Sequence, residues 1–149
     1  LPHYFLEFDI LDQQTGVFLS TERRRALLAC GPVLSVRVLS EGPVRAVADL
    51  RRLITPSAFK TPAWRQRLTE TATTRGLDPA QVARETDGAD QMEGLYIKWE
   101  EDGQVKGRYK FVRHSFLTTI LDAGVHWLER PIVPNGLAPG VALFSGGAS

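Results

Sequence analysis

The stretch EGLYIKWEEDGQVKGRYKFVR, residues 93–113, consists of two runs rich in aromatic and β-branched side chains joined at Asp102-Gly103. That composition with that joint is the signature of a β-hairpin. A two-residue Asp-Gly loop would set Trp99 opposite Lys106, Ile97 opposite Arg108 and Leu95 opposite Lys110. Apolar and cationic groups would then be mixed on both faces. A three-residue loop, with Gly103 in the left-handed position as a bulge, shifts the pairing by one. Tyr96 and Lys98 then share a face with Lys106, Arg108 and Lys110, while Leu95, Ile97, Trp99, Val105, Tyr109 and Phe111 gather on the other. Only the shifted register separates a core face from a cationic one, so it is the expected register.

Four cations on one sheet face repel one another unless something negative sits among them. A polyphosphate meets that need, and positioned cations are what nucleotidyl or phosphoryl transfer requires where charge develops. Glu93, at the entrance to the hairpin, is a candidate to hold a divalent metal near such phosphates. Its parity groups it with the apolar residues, so it reaches the cationic side only if the strand is irregular at Gly94. A row of lysines on a hairpin is more often a solvated surface, so the hairpin alone favours that reading and the phosphate site needs independent support.

Upstream, residues 3–11 (HYFLEFDIL) read as a buried strand, residues 12–16 as a turn, and residues 33–39 (VLSVRVL) as a second strand. Helices are expected from Ser20 or Thr21 to Ala29, over Val44–Ile54, from Thr61-Pro62 to about Arg75, and from Asp78-Pro79 to about Glu85. Beyond the hairpin a helix is expected from Ser115 to about Trp127, then an irregular Pro/Gly tail from about residue 129. The order β-β, helices, hairpin, helix predicts an α+β domain with a mainly antiparallel sheet, and no linker divides the chain in two.

Composition narrows the class. With 43% apolar and 23% charged residues the chain belongs among globular proteins. No apolar run approaches the roughly 18 residues of a membrane span, and no signal-peptide pattern is visible. The single cysteine, Cys30, excludes an internal disulfide and fits a reducing, cytoplasmic setting. A net charge of +1 means that any nucleic-acid contact must be a local patch. His3, His114, His126 and Cys30 lack metal-ligand spacing. Arg23-Arg24-Arg25 reads first as a solvated helix face and second as an RNA contact. Asp87 and Asp90 read as parts of a polar loop, Trp64 and Leu68 as core, and Trp127 as packing for the tail. The chain starts at Leu1 within a strand-like run, and its one methionine is Met92. The expectation is a fragment with sequence upstream.

Residues 93–98 (EGLYIK) resemble motif IV of the covalent nucleotidyltransferases, the superfamily of ATP-dependent RNA and DNA ligases and capping enzymes. Arg108-Tyr109-Lys110 falls where that superfamily has motif V, Lys-x-Lys, and residues 4–10 (YFLEFDI) are similar to motif IIIa. The wording of residues 1–8 and 127–137 resembles, more narrowly, bacterial proteins related to the phage double-strand RNA ligases. The resemblance implies the C-terminal part of an ATP-grasp-like nucleotidyltransferase domain that uses ATP and Mg2+ or Mn2+ on RNA ends. It implies that Phe8 stacks on adenine and that Glu93 is the carboxylate of metal and catalysis. It further implies that Lys98 closes motif IV and that Arg108 and Lys110 contact the ATP phosphates. Arg108 departs from lysine, keeping the charge and changing the geometry. None of Lys60, Lys98, Lys106 and Lys110 stands in the Lys-x-Asp-Gly of the family's nucleophile, so that lysine is expected upstream. A nucleotide- or RNA-binding module without catalysis is the alternative, as is a DNA ligase or capping enzyme. Nothing in the sequence marks an obligate protein partner.

Overall fold

The computed structural model describes residues 3–122, 132–137 and 140. It is an α+β arrangement in which helices accompany two small antiparallel sheets. In chain order the elements are β1 (Leu11–Asp12), β2 (Val17–Phe18), α1 (Thr21–Leu28), α2 (Val47–Leu53), α3 (Trp64–Thr74), α4 (Pro79–Glu85), β3 (Gly94–Glu101), β4 (Gln104–Val112) and α5 (His114–Asp122).

The β3–β4 hairpin dominates, and its register is partly as expected. Tyr96 lies opposite Lys110, Ile97 opposite Tyr109, and Lys98 opposite Arg108. The cause differs from the expectation. The loop is a two-residue turn in which both Asp102 and Gly103 have positive φ, 51° and 72°, as the right-handed twist of the strands favours. The extra residue enters further in, where the register shifts between Trp99 and Glu100. Trp99 faces Gly107 and Glu100 faces Val105, which leaves Lys106 as the bulge residue. Gly94 admits no side chain at the foot of β3, because a Cβ there would lie 2.1 Å from the Phe111 carbonyl oxygen.

Two expected strands do not form ladders. Of residues 3–11 only Leu11 enters a strand, paired with Phe18, and residues 33–39 contribute a single parallel bridge, Ser35 to Glu7. Tyr4, Phe5 and Phe8 are about half exposed rather than buried. Strand composition marks where the chain is extended; a ladder also needs a partner along its whole length. The 12–16 turn is as read: Asp12 accepts hydrogen bonds from the Gln14 and Thr15 amides, and Gly16 donates to the Asp12 carbonyl.

Two helix starts follow capping chemistry, α1 at Ser20 and α4 at Asp78, whereas α2 and α3 start a few residues late, after Ala46 and Ala63, which offer no capping side chain. Asp78 accepts from Ala80 N and Pro79 opens α4. The α3 helix begins at Trp64, later than Thr61-Pro62, and α2 begins at Val47. The α5 helix begins at His114, and its expected continuation to Trp127, like much of the tail, lies outside the described residues.

Buried apolar side chains among the described residues are few: Leu19, Ala72, Val82 and Leu95. Polar ties complete the packing. Glu100 holds the start of α1, its carboxylate accepting from Thr21 N at 2.9 Å and Thr21 Oγ1 at 2.7 Å. The turn carbonyl of Gly103 accepts from Ser20 N at 3.0 Å. Arg24, expected on a solvated face, is instead only 3% exposed and pairs with Glu7 at 2.5 Å. Ser35 donates to the same carboxylate at 2.7 Å. Arg113, also buried, joins Asp87, the Met92 carbonyl and Ser115. No helix among the described residues is long and apolar enough to cross a membrane.

Candidate functional site

The bulge decides the site. By shifting the register, it puts Tyr96, Lys98, Arg108 and Lys110 on one face of the hairpin. The segment of residues 7–18 crosses that face and brings Phe8, Asp9 and Phe18 to it. Tyr96 Oη donates to Asp9 Oδ2 at 2.6 Å. Lys98 Nζ lies 2.9 Å from Asp9 Oδ1 and donates to the Phe8 carbonyl at 2.6 Å. Arg108 Nη1 stands 3.6 Å from Asp9 Oδ2, and its guanidinium carbon is 3.9 Å from the centre of the Phe18 ring. The Phe8 and Tyr96 rings meet edge to face with centroids 5.2 Å apart, a favoured aromatic geometry.

Asp9 and Lys98 are nearly enclosed, at 9% and 10% side-chain exposure, while Arg108 keeps 44%. Burial pushes the Asp9 carboxyl up, but the Tyr96 hydroxyl, the Lys98 ammonium and the Arg108 guanidinium together hold it below its ordinary value of 3.8. Burial, followed by the bond to Asp9, raises the Tyr96 phenol above 10.0. A carboxyl depressed in the folded state contributes stability above its unfolded value and loses it as pH falls through the folded one. Thermal melts across the acid range are therefore expected to steepen below about pH 4. Asp9→Asn should flatten that limb, and an unchanged limb in the variant would show that Asp9 is not the group responsible.

The sequence-predicted residues divide. Phe8, Lys98 and Arg108 come together around Asp9. Lys110 lies on the same face opposite Tyr96, exposed and without an ion pair among the described residues. Lys106, expected beside them, is the bulge residue and donates to Gln104 at 3.1 Å. Glu93 is exposed just before β3. Its carbonyl accepts from Arg113 N at 3.0 Å, and its carboxylate makes no ion pair among the described residues. No three His, Cys, Asp or Glu side chains converge as a metal site among those residues.

Asp87 and Asp90 are structural. Asp87 pairs with Arg113, and Asp90 accepts from the Trp64 indole and pairs with Arg65, both at 2.8 Å. A cleft of about 350 Å³ between α3 and residues 133–137 contains none of the motif side chains. Sequence reasoning missed Asp9, Tyr96 and Phe18 as site residues. The parity of Tyr96 with Lys98 and the acid following Phe8 were usable signals. Phe18 offered none, since only the fold brings it to Arg108.

The comparisons bear on this geometry. No curated protein and no solved structure matches the chain. A family model described as RNA ligase matches residues 1–112, ending where β4 ends. That match covers well over half of the sequence and contains Phe8, Lys98, Arg108 and Lys110, and the chain therefore belongs to the RNA ligase family.

Proposed function

We propose that these residues form the nucleotide pocket of an ATP-dependent RNA ligase. It seals RNA 5′-phosphate and 3′-hydroxyl ends through lysyl-AMP and RNA-adenylate intermediates. The supporting observation is an imbalance of charge on one face: Lys98, Arg108 and Lys110 bear three positive charges against the Asp9 carboxylate, which Lys98 and Arg108 approach, while the Glu100 carboxylate is taken up by Thr21 at the start of α1. Two charges are left over, and a di- or triphosphate arriving there is what neutralises them.

In this reading the chain is the C-terminal portion of a nucleotidyltransferase domain. Its nucleophilic lysine lies outside residues 1–149, since none of the four lysines stands in Lys-x-Asp-Gly. That lysine attacks the α-phosphorus of ATP, pyrophosphate leaves, and AMP passes to a 5′-phosphate end. A 3′-hydroxyl then displaces it. Lys98, Arg108 and Lys110 hold the phosphate oxygens as charge builds, and Phe8 offers its ring to the adenine. Glu93, exposed and without an ion pair, suits a Mg2+ or Mn2+ ion held mainly by phosphate oxygens and one carboxylate. Such an ion supplies Lewis-acid neutralisation of the phosphates. The single thiol, Cys30, suits a cytoplasmic setting.

The test is transfer of labelled AMP from ATP to protein with magnesium, in this chain and in the full-length protein. Label on the full-length protein and none on this chain is the expected result. Absence of label on both would discard the ligase reading in favour of a nucleotide- or RNA-binding module.

A further inference from the structure

Arg108 poses a question that the phosphate pocket does not answer. Asp9 lies close enough to capture it, as it captures Lys98 at 2.9 Å. A guanidinium closed onto Asp9 would be neutralised and would have fewer N–H groups to offer a phosphate. Instead Arg108 stays 3.6 Å from the carboxylate, longer than a hydrogen bond, and 44% exposed. Two features accompany this stand-off: the Tyr96 hydroxyl, with which Arg108 also interacts, and Phe18, whose ring centre lies 3.9 Å from the guanidinium carbon.

A guanidinium over an aromatic face can lie flat against it, whereas lysine's ammonium is a point charge without a flat face. The platform is also well fixed. Phe18 pairs with Leu11 across β1–β2. The next residue, Leu19, donates to the Ile10 carbonyl at 2.9 Å and bridges to Gln104 at the hairpin. The ring is thus tied both to the segment that carries Asp9 and to the strand that carries Arg108.

We propose that Phe18 is a positioning residue for ATP. It holds the Arg108 guanidinium flat and away from Asp9, so that part of its donor fork stays open to a phosphate oxygen. This inference rests on the ligase reading and adds a residue that the motif pattern does not contain. It also accounts for an arginine at position 108, because this chain supplies the aromatic plane that arginine can use.

The experiment measures AMP transfer in the full-length protein against ATP concentration, with chemical denaturation confirming that each variant is folded. Phe18→Leu is expected to raise KM for ATP roughly three- to tenfold and to leave kcat within about twofold. Phe18→Trp, which keeps an aromatic face, should retain the low KM. Arg108→Lys should also raise KM, and adding Phe18→Leu to it should cost less than it does beside Arg108, because a point-charge ammonium gains a less oriented contact from the ring than a guanidinium does. A purely structural Phe18 would give the opposite pattern. Its loss would cost the same in both backgrounds, the effects would multiply, and the inference would be overturned. A labelled wild-type protein with multiplicative costs fails this inference alone, whereas an unlabelled wild type fails the ligase reading and this inference with it.

Discussion

Replacing Lys98 with methionine is expected to slow AMP transfer in the full-length protein by about 10²- to 10³-fold, the usual consequence of removing one preorganised group from developing charge. Methionine keeps most of the buried stem and deletes the ammonium. Two further losses accompany it. The Phe8 carbonyl loses its 2.6 Å donor, and Asp9 keeps only Tyr96 at hydrogen-bond distance, with Arg108 further off. The rate should therefore fall at saturating ATP as well as below it, since the ammonium anchors the segment carrying Phe8 and, in the proposed pocket, faces the phosphates. Lys98→Arg separates the contributions: charge is retained, but the fork does not fit a nearly enclosed point-charge position. Single-turnover label transfer is the measurement, and a methionine variant within threefold of wild type would remove Lys98 from the chemistry.

The largest expected effect on stability lies outside the pocket. Arg24 and Glu7 are both buried, and the guanidinium donates to both carboxylate oxygens, at 2.5 and 2.6 Å. Removing one partner leaves the other charge without compensation in a low-dielectric setting, which costs about 3–5 kcal/mol. Arg24→Met and Glu7→Gln should each lower the chemical-denaturation midpoint sharply. The double replacement Glu7→Met with Arg24→Met should recover much of the loss, because two apolar groups leave no buried charge. Ser35 would keep its hydroxyl there without its acceptor, so recovery is not expected to be complete. Single variants that cost under about 1 kcal/mol would place this pair with ordinary surface salt bridges.

Local chemistry was legible in the sequence, and long-range partnership was not. Asp78-Pro79 announced α4 because cap and first-turn proline act within a few residues. Asp102-Gly103 announced the turn for the same reason. The facing of Lys98 with Arg108 and Tyr96 with Lys110 followed from separating apolar from cationic side chains, although the bulge was assigned to the loop rather than to Lys106. Residues 3–11 show the opposite case: their composition is that of a strand, but no neighbour runs alongside for more than a residue or two. Three consecutive arginines looked like one solvated face, yet Arg24 finds a partner 17 positions away in Glu7. A far longer separation in sequence hid Asp9 and Phe18 from Lys98 and Arg108, which meet only once the 7–18 segment lies across the hairpin.

The bulge at Lys106 gives that position an unusual mutational character. Its side chain is exposed and bonds only a near neighbour, Gln104, among the described residues. Its backbone, however, carries the count that turns Arg108 and Lys110 toward Lys98. Were Lys106 paired instead of bulged out, the two-residue turn would propagate unshifted, and Arg108 would face Ile97 on the apolar side. Position 106 therefore acts as a spare residue rather than as a side chain: many side chains serve there, and deleting it would remove the bulge while leaving Lys98 opposite Arg108.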